Sequence, residues 1–312
     1  MANNGYITNE QLTYVSNVIR QPKVQELTAM SLFKTFNVPA WTTQTKYQIM
    51  TTSGEAAPYV DGASDVPVVD LNMTEQAANL TDLSIAVRYS RQQLGEAQQA
   101  NMDILTPMAT RARRALAEAE NKLIFNGNHN SNPVLNINGL TDKANILGVQ
   151  TTTSPIPFDD LADDAGNSLK VRNWLKEAVS MITHLAGYSN VKPVLALPQS
   201  AIDRLDMPFN QYTPQITILQ MITPWFSQIK PVPELEHQYF GSKNNKQDMG
   251  YIFLNDQDTA QIPIAQPVTP LQPEYRNTMT TIPYVERLGG LVMYYPHAFV
   301  QLQGINDPKK VN

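Results

Sequence analysis

The sequence predicts an α+β fold, and three observations support this class. Apolar and polar residues alternate over 46–52 and 82–90, as they do in strands buried on one face. Helical spacing of apolar residues follows over 91–125, and helix-like and strand-like segments then succeed one another over 160–260. Strand-like patterns return over 281–305. A chain of 312 residues with these patterns is long enough to bury a substantial core.

The amino-acid composition limits the classes of function that the protein can have. Charged residues make up 16% of the chain, against roughly 25% in typical globular domains. The cores of protein interfaces are depleted in charge. The composition therefore favours the interpretation that neighbouring chains cover part of the surface, rather than the interpretation that the composition has merely drifted. The net charge of −5 supplies no positive field for gripping nucleic acid, and the absence of cysteine excludes disulfides and thiolate chemistry. Neither a leader-like nor a membrane-spanning run occurs, so we expect a soluble protein made in the cytoplasm.

The first 45 residues predict an extended arm with short helices over 9–21 and 26–36. Behind the arm, the two predicted strands are separated by 53–81, a segment rich in Gly, Ala, Pro and Asp. Connections of this length are usually functional or supported from outside, and an isolated hairpin is barely stable in water. We therefore expect a long two-stranded projection that lies on another chain.

The segment 91–125 predicts a long helix, with a kink or a restart at Pro107 and a stop at Asn126-Gly127. An asparagine-rich loop follows the stop and leads to a turn at 138–140. The predicted apolar stripe consists of Leu105, Met108, Ala109, Ala112, Leu116, Ala119 and Leu123. The predicted outer surface carries Arg111, Arg114, Glu118, Asn121 and Lys122, in which oppositely charged neighbours stand four residues apart.

The second half of the chain predicts a compact α/β unit and a final set of strands. A helix is predicted at 168–187, and 191–198 reads as a buried central strand. The core side of that helix is predicted to be Leu169, Trp174, Leu175, Ala178, Val179 and Ile182. Two short helices (199–206, 215–226) and two strands (229–235, 249–256) are predicted next. At the end, two strands about a Gly289-Gly290 turn and a third after Pro296 are predicted.

Catalytic signatures are lacking, so we expect no enzyme, no cofactor, no metal site and no catalytic residues. No phosphate-binding glycine loop or nucleophile elbow occurs, and the histidines are scattered at 129, 184, 237 and 297. An acidic group lacks the spacing of a calcium loop and is interpreted as capping the helix that follows it. This group is Asp159, Asp160, Asp163 and Asp164.

The order of elements and two motifs resemble the major capsid protein of tailed bacteriophages, the Hong Kong 97-like fold that encapsulin shells share. One motif is the helix end Glu-x-x-x-Ile-Phe-x-Gly at 120–127 with the Ile-Asn-Gly-Leu turn at 137–140. The other is the terminal strand set with its aliphatic run after Pro296-x-Ala298. The resemblance implies an N-terminal arm (1–45), an E-loop hairpin (46–90), a P-domain with a spine helix (91–158), a mixed α/β A-domain (159–264) and C-terminal strands that complete the antiparallel P-domain sheet (265–312).

The resemblance implies assembly rather than turnover: pentamers and hexamers of an icosahedral head around double-stranded DNA. Expected partners are copies of the chain, with scaffold, portal and decoration proteins and weak, non-specific DNA contact, but no membrane. The expected location is the virion, after synthesis in the host bacterial cytoplasm. Expected subunit-interface residues are Tyr47, Tyr59, Val60, Val66, Val68, Val69, Arg88, Arg111, Arg113, Arg114, Glu118 and Glu120.

Three alternatives differ in what they predict. An encapsulin-type compartment would carry an inner pocket for a cargo peptide. A tail-tube or other ring-forming virion protein would contain more strand and no long helix. A soluble α/β enzyme would be a compact monomer or dimer in which 53–81 folds onto its own body.

Overall fold

The structure is a computed structural model that describes residues 27–53, 70–100, 102–127, 137–141, 148–161, 164, 166–209, 215–237 and 247–307. The strands are β1 (Lys34–Asn37), β2 (Gln44–Ser53), β3 (Asp70–Ser90), β4 (Gln150–Thr153), β5 (Val194–Leu197), β6 (Gln228–Pro231), β7 (Gly250–Phe253), β8 (Ala260–Pro270), β9 (Glu274–Arg276), β10 (Met279–Gly289), β11 (Val292–Met293) and β12 (Phe299–Gln303). The helices are α1 (Ala29–Leu32), α2 (Arg91–Gln99), α3 (Leu105–Asn126), α4 (Asn167–Thr183), α5 (Gln199–Leu205) and α6 (Ile218–Ile222). None of these helices is long and apolar enough to span a bilayer.

The larger sheet has seven strands, and β3 is its longest element. The strand order is β1-β8-β10-β3-β2, with β9 and β11 attached to β10 and β8. Along β3, residues 70–79 pair with β2 and residues 80–90 pair with β10. The exchange of partners coincides with a change of environment, because 71–77 are exposed and Leu80 is the first buried residue. The distal part therefore projects from the body as a two-stranded hairpin, as the sequence predicts.

Helix α3 covers one face of this sheet and begins at Leu105, after the break that follows α2, so the structure has the predicted restart rather than a kink. Pro107 lies in its first turn, where no intrahelical N–H bond is lost. Ala112 and Leu116 pack with Tyr284 of β10, but Leu105 is exposed. The prediction for Asn121 is wrong: its side chain is 2% exposed, and its Oδ1 accepts the Ala29 N–H of α1 at 2.9 Å.

The stop at the end of α3 has a clear physical basis. Gly127 caps the helix with a φ of 60°, a conformation that favours glycine. The last carbonyls of a helix lack intrahelical partners. Here the carbonyls of Ile124 and Phe125 accept the backbone N–H groups of Leu140 and Thr141 at 2.9 and 2.8 Å. The returning turn thus docks against the helix end that precedes it.

The smaller sheet has five strands in the order β4-β12-β7-β5-β6. All residues of β5 and β7 are buried, which confirms the predicted central strand. Helix α4 packs on this sheet through Trp174 and its apolar neighbours, and the Trp174 Nε1 donates to Thr152 Oγ1 at 2.8 Å. Leu169 is the exception to the predicted core side, since it is 47% exposed.

The acidic group does not cap α4 where the structure describes it. The helix follows Gly166 without a side-chain cap; the Asp164 carboxylate accepts the Gly166 N–H, and the Asp164 backbone carbonyl accepts the Asn167 N–H. Asp159 instead pairs with Arg204 of α5 at 2.5 Å and accepts the Asp307 N–H at 2.7 Å. It therefore ties two distant segments together. Asp163 lies outside the described residues.

The C-terminal strands differ from the predicted hairpin. Strands β10 and β11 do not pair with each other, because both pair with β8. Glycine is required at the junction for close approach rather than for a hairpin turn. A Cβ on Gly290 would lie 2.1 Å from the Asn138 carbonyl oxygen, and one on Gly289 would lie 2.6 Å from Pro263. The last strand, β12, crosses to the five-stranded sheet.

Candidate functional site

Residues 71–77, in the distal half of β3, are exposed on both faces of the hairpin, whereas residues 44–49 of β2 alternate between exposed and half-buried. Leu71 and Met73 are 55% and 58% exposed, although strands normally bury such side chains. The side-chain contacts between the two strands of the hairpin are polar. Lys46 pairs with Glu75 at 2.6 Å, and the Tyr47 hydroxyl donates to Gln76 at 2.8 Å. The hairpin therefore has a complete ladder of backbone bonds without a core of its own.

The base of the hairpin is fixed to the body by aromatic and charged contacts. Arg287 of β10 forms a two-pronged ion pair with Asp82 of β3. The same guanidinium lies 5.4 Å from the centre of the Trp41 ring, and Trp41 is 79% exposed. Tyr47 packs edge-on against Tyr294 at 5.3 Å. These contacts set the direction in which the hairpin leaves the body.

Ten of the twelve predicted interface residues fall into three groups; the other two are Tyr47 on the hairpin and Glu120. Tyr59, Val60, Val66, Val68 and Val69 lie outside the described residues. Arg88 and Arg113 are exposed, and Arg88 donates to Thr281 Oγ1 at 3.3 Å. Arg111 and Arg114 both reach Glu118 of the same helix, at 3.5 and 3.0 Å. The structure therefore brings together the charged residues of α3, but separates them from Tyr47 on the hairpin.

Glu120 lies inside the subunit, between α3 and the larger sheet. It is 8% exposed, and Glu286 of β10 is 5% exposed. Glu120 Oε1 and Glu286 Oε2 are buried without a hydrogen-bond partner in the part of the chain that the structure describes. Burial raises the pKa of both carboxyls to about 7, and for Glu120 the nearby Glu286 adds to this shift. The pair therefore favours protonated carboxyls near neutral pH.

His237 and Asp248 form a structural contact. His237 Nδ1 lies 2.7 Å from Asp248 Oδ1, which also accepts the His237 backbone N–H at 2.9 Å. The Asp248 N–H in turn donates to Asn306 Oδ1 at 2.7 Å, so the pair braces the end of the chain. Within the described ranges, no cluster of three or more His, Cys, Asp or Glu residues could hold a metal ion.

Sequence reasoning missed several exposed apolar residues that mark the surface. Trp41, Leu71, Met73 and Tyr275 are each more than half exposed. The signal for Leu71 and Met73 was present, because both stand in a segment with strand-forming neighbours and few charges. Tyr275 lies on β9, beside a two-residue turn at Asn277 with a φ of 57°. Single exposed apolar residues are ordinary, but here two lie on one unsupported hairpin.

Solved structures share this fold at low sequence identity. The capsid of Myoviridae phage XM1 matches with a TM-score of 0.78 and 13% identity, covering 97% of this chain and 100% of that chain. The capsid of an empty GTA particle matches with 0.68 and 12%, covering 97% of both chains. A virus-like particle from Pyrococcus furiosus matches with 0.56 and 14%, covering 88% of this chain and 91% of that one.

A sequence-family model also matches the chain. No curated protein matches the chain. The family model described as major capsid protein matches residues 54–305, which include all of β3, all of α3 and both sheets' central strands. Because this match spans most of the chain, the protein belongs to the major capsid protein family and is a structural capsid subunit.

Proposed function

We propose that this chain self-assembles into pentamers and hexamers of an icosahedral phage head that encloses double-stranded DNA. The observation that carries the proposal is the hairpin of β2 and distal β3, in which residues 71–77 are exposed on both faces and residues 44–49 are at most half-buried. An isolated two-stranded hairpin is marginal in water, so a neighbouring copy would supply the surface that covers it. Weak contacts of this kind become a stable container when many engage at once.

The finer division of the chain is part of the proposal. Residues 46–90 would form the E-loop, and α3 would be the spine helix of a P-domain built on the larger sheet. Residues 159–264 would form the A-domain around the five-stranded sheet. In the last segment, 265–312, strands β9 to β11 belong to the larger sheet and β12 to the smaller one. The two units are thus joined by strand crossing as well as by chain order.

The surroundings of the subunit follow from the same proposal. The net charge of −5 supports weak and non-specific contact with packaged DNA, because tight phosphate binding needs many lysines and arginines. Portal, scaffold and decoration proteins would meet the shell at particular positions. The subunit would be made in the cytoplasm of a bacterial host and end in the virion, with no catalytic step, cofactor or membrane contact.

An encapsulin-type compartment is the second candidate, favoured by the match to the virus-like particle from Pyrococcus furiosus. Both candidates require a shell, and they differ in its contents. Particles purified from the native source would hold nuclease-protected DNA in the first case. They would hold an enzyme cargo in the second.

The hairpin itself provides the test. Tyr47 and Gln76 are directly paired, so residues 48–75 can be replaced by Asn-Gly, a two-residue turn that suits hairpins. We expect the shortened chain to melt cooperatively, because it keeps every described buried residue, and to form neither rings nor shells. Circular dichroism would report folding, and negative-stain microscopy with analytical ultracentrifugation would report assembly.

A matched control keeps the hairpin at full length. In the control, the cross-strand pair Gln48 and Glu75 is replaced by threonines. These are the two residues at which the deletion begins and ends, so the control alters the same positions but keeps the projection. This variant should assemble. Normal particles from the shortened chain would show that the hairpin has no role in assembly.

A further inference from the structure

The turn that leads into the hairpin holds a tryptophan where the backbone favours glycine. The Thr42 N–H donates to the Pro39 carbonyl at 3.2 Å and closes a four-residue turn over 39–42. In this turn Trp41 has a φ of 72°, whereas Ala40 before it does not have a positive φ. This pattern is that of a type II turn, whose third residue is usually glycine or asparagine. A tryptophan at this place is an outlier, because its side chain crowds the left-handed backbone.

Two non-glycine residues in the described ranges have a positive φ, and they differ in how well their side chains suit it. The other is Asn277, in the turn between β9 and β10, with a φ of 57°. Asparagine tolerates this conformation, so the local turn chemistry explains Asn277. It does not explain Trp41. Residues held in strained conformations of this kind cluster at functional sites.

The subunit itself makes little use of the Trp41 side chain. Trp41 is 79% exposed, and among the described residues it belongs to none of the three hydrophobic clusters. Its ring contact in that part of the chain is with the guanidinium of Arg287, 5.4 Å from the ring centre. A cation–π contact at an exposed site contributes little. Folding of the subunit therefore does not account for a strained tryptophan.

Arg287 instead fixes the orientation of the ring. Its guanidinium forms the two-pronged ion pair with Asp82, and its side chain is only 16% exposed. The indole therefore rests on a planar group that is itself held in place, and most of the ring faces solvent. An aromatic side chain held in this way loses little conformational freedom on binding. Tryptophan is also among the residue types enriched at the positions that dominate the energy of interfaces.

The position of Trp41 indicates which partner would cover it. The Thr43 carbonyl accepts the Leu80 N–H at 2.9 Å, so the turn is attached where β3 changes its partner from β2 to β10. Trp41 is thus continuous with the hairpin, whose surface a neighbouring copy would cover under the proposed function. Nucleic acid is not favoured, because the charge of Arg287 is already balanced by Asp82. For a capsid subunit, a second copy of the chain is the occupant that fits.

We propose that Trp41 is an anchor residue through which one copy of the chain binds the next, its indole ring becoming buried against the neighbouring copy on assembly. The contact rests on the proposed function and adds to it one residue outside the predicted hairpin (46–90). The strained turn then presents the ring to the neighbour, at some loss of stability in the free subunit.

Substitutions at Trp41 separate the role of the ring from the role of the turn. Trp41→Ala removes the ring but keeps a Cβ that strains the turn, whereas Trp41→Gly removes the ring and suits a positive φ. Unassembled Trp41→Gly should melt about 1–3 °C above unassembled Trp41→Ala. Both should raise the concentration needed for ring formation about tenfold or more, because both lack the anchor. Scanning calorimetry would measure melting, and mass photometry would measure ring formation.

A matched control loosens the same turn but keeps the ring. Ala40→Gly adds backbone freedom next to Trp41 and should assemble like wild type. If Ala40→Gly failed to assemble, or if Trp41→Gly assembled normally while Trp41→Ala did not, the turn rather than the ring would govern assembly. Either result would refute the contact.

Burial of the ring can also be measured without a substitution. Hydroxyl-radical oxidation read by mass spectrometry should label Trp41 roughly fivefold less in assembled particles than in unassembled chains, because anchor residues lie in desolvated pockets. Trp174, 5% exposed within the subunit, should be labelled weakly in both states. Equal labelling of Trp41 in both states would refute the contact and leave the proposed function standing. A wild-type chain that never forms rings or shells would instead refute the proposed function itself.

Discussion

The five-stranded sheet and the β2–β3 hairpin are both regular β-structure, yet their surroundings are opposite. Every residue of β5 and β7 is buried, whereas residues 71–77 of β3 are all exposed. Backbone bonds are complete in both regions, so hydrogen bonding does not distinguish them. The difference is apolar burial, which is the dominant favourable term in folding. The first region has an apolar core within the subunit, and under the proposed function a neighbouring copy would supply the surface that covers the second.

The largest expected effect comes from placing the same charge in each region. Leu195 on β5 is fully buried, and Leu195→Asp should cost more than about 4 kcal/mol, because an unpaired carboxylate would lie in the core. Leu71 is 55% exposed, and Leu71→Asp should change the unfolding free energy by less than about 0.5 kcal/mol. Urea denaturation of the unassembled chains would measure both. A large loss from Leu71→Asp would mean that the hairpin is covered within its own subunit.

The next effect concerns the part of the larger sheet that continues the hairpin into the body, where β10 pairs with the proximal half of β3. Glu120 and Glu286 have a pKa of about 7 in the folded chain and about 4.5 when unfolded. Between these values the folded state binds more protons than the unfolded state. The contribution of this pair to the unfolding free energy should therefore be largest below pH 4.5. It should fall as the pH rises through 7.

Glu286→Gln should flatten that fall and raise stability at pH 8, by an amount on the order of 1–3 kcal/mol. Denaturation at pH 5 and pH 8 would measure the change. Burial also raises the pKa of Glu234, so part of the slope should remain. Glu75→Gln on the exposed hairpin is the matched control, and it should leave the slope as in wild type. An unchanged slope in Glu286→Gln would show that the pair does not titrate in this range.

The smallest expected effect is at the outer surface of α3. Arg114→Ala removes one helical ion pair with Glu118 and should cost only about 0.2–0.5 kcal/mol of unfolding free energy. If Arg114 lies at a subunit boundary as the sequence predicts, assembly should weaken by more than folding does. Parallel measurements of unfolding and ring formation would compare the two. Equal and small losses would place Arg114 on a solvated face.

Local sequence patterns were enough to locate those elements whose environment is decided by residues nearby in the sequence. The buried run at β5, the restart at Pro107 and the stop at Gly127 all follow from short-range rules. The capsid fold could be predicted from the order of elements, because the fold is shared with solved structures that are only 12–14% identical to this chain. That order carries information that individual residues do not.

The misses arise from contacts between distant segments. Strand β8 was not predicted because prolines at 263, 267 and 270 interrupt it, and the register with β10 shifts around Gln266. Asn121 was expected to be solvated, but α1 folds over it from 92 residues away. The contacts of Arg172 and Lys176 with the Trp225 ring join α4 to a segment that lies beyond two further helices, so no local pattern predicts them. Long-range packing decides each of these positions.

The unbroken course of β3 has a mechanical consequence. At roughly 3.3 Å per residue its 21 residues extend for about 70 Å, from the hairpin into the body of the subunit. A pull on the hairpin along this axis would strain the β3–β10 bonds in shear, so that many would have to break together. A neighbouring subunit bound by the hairpin would thus be held against outward pressure by all the hydrogen bonds between β3 and β10.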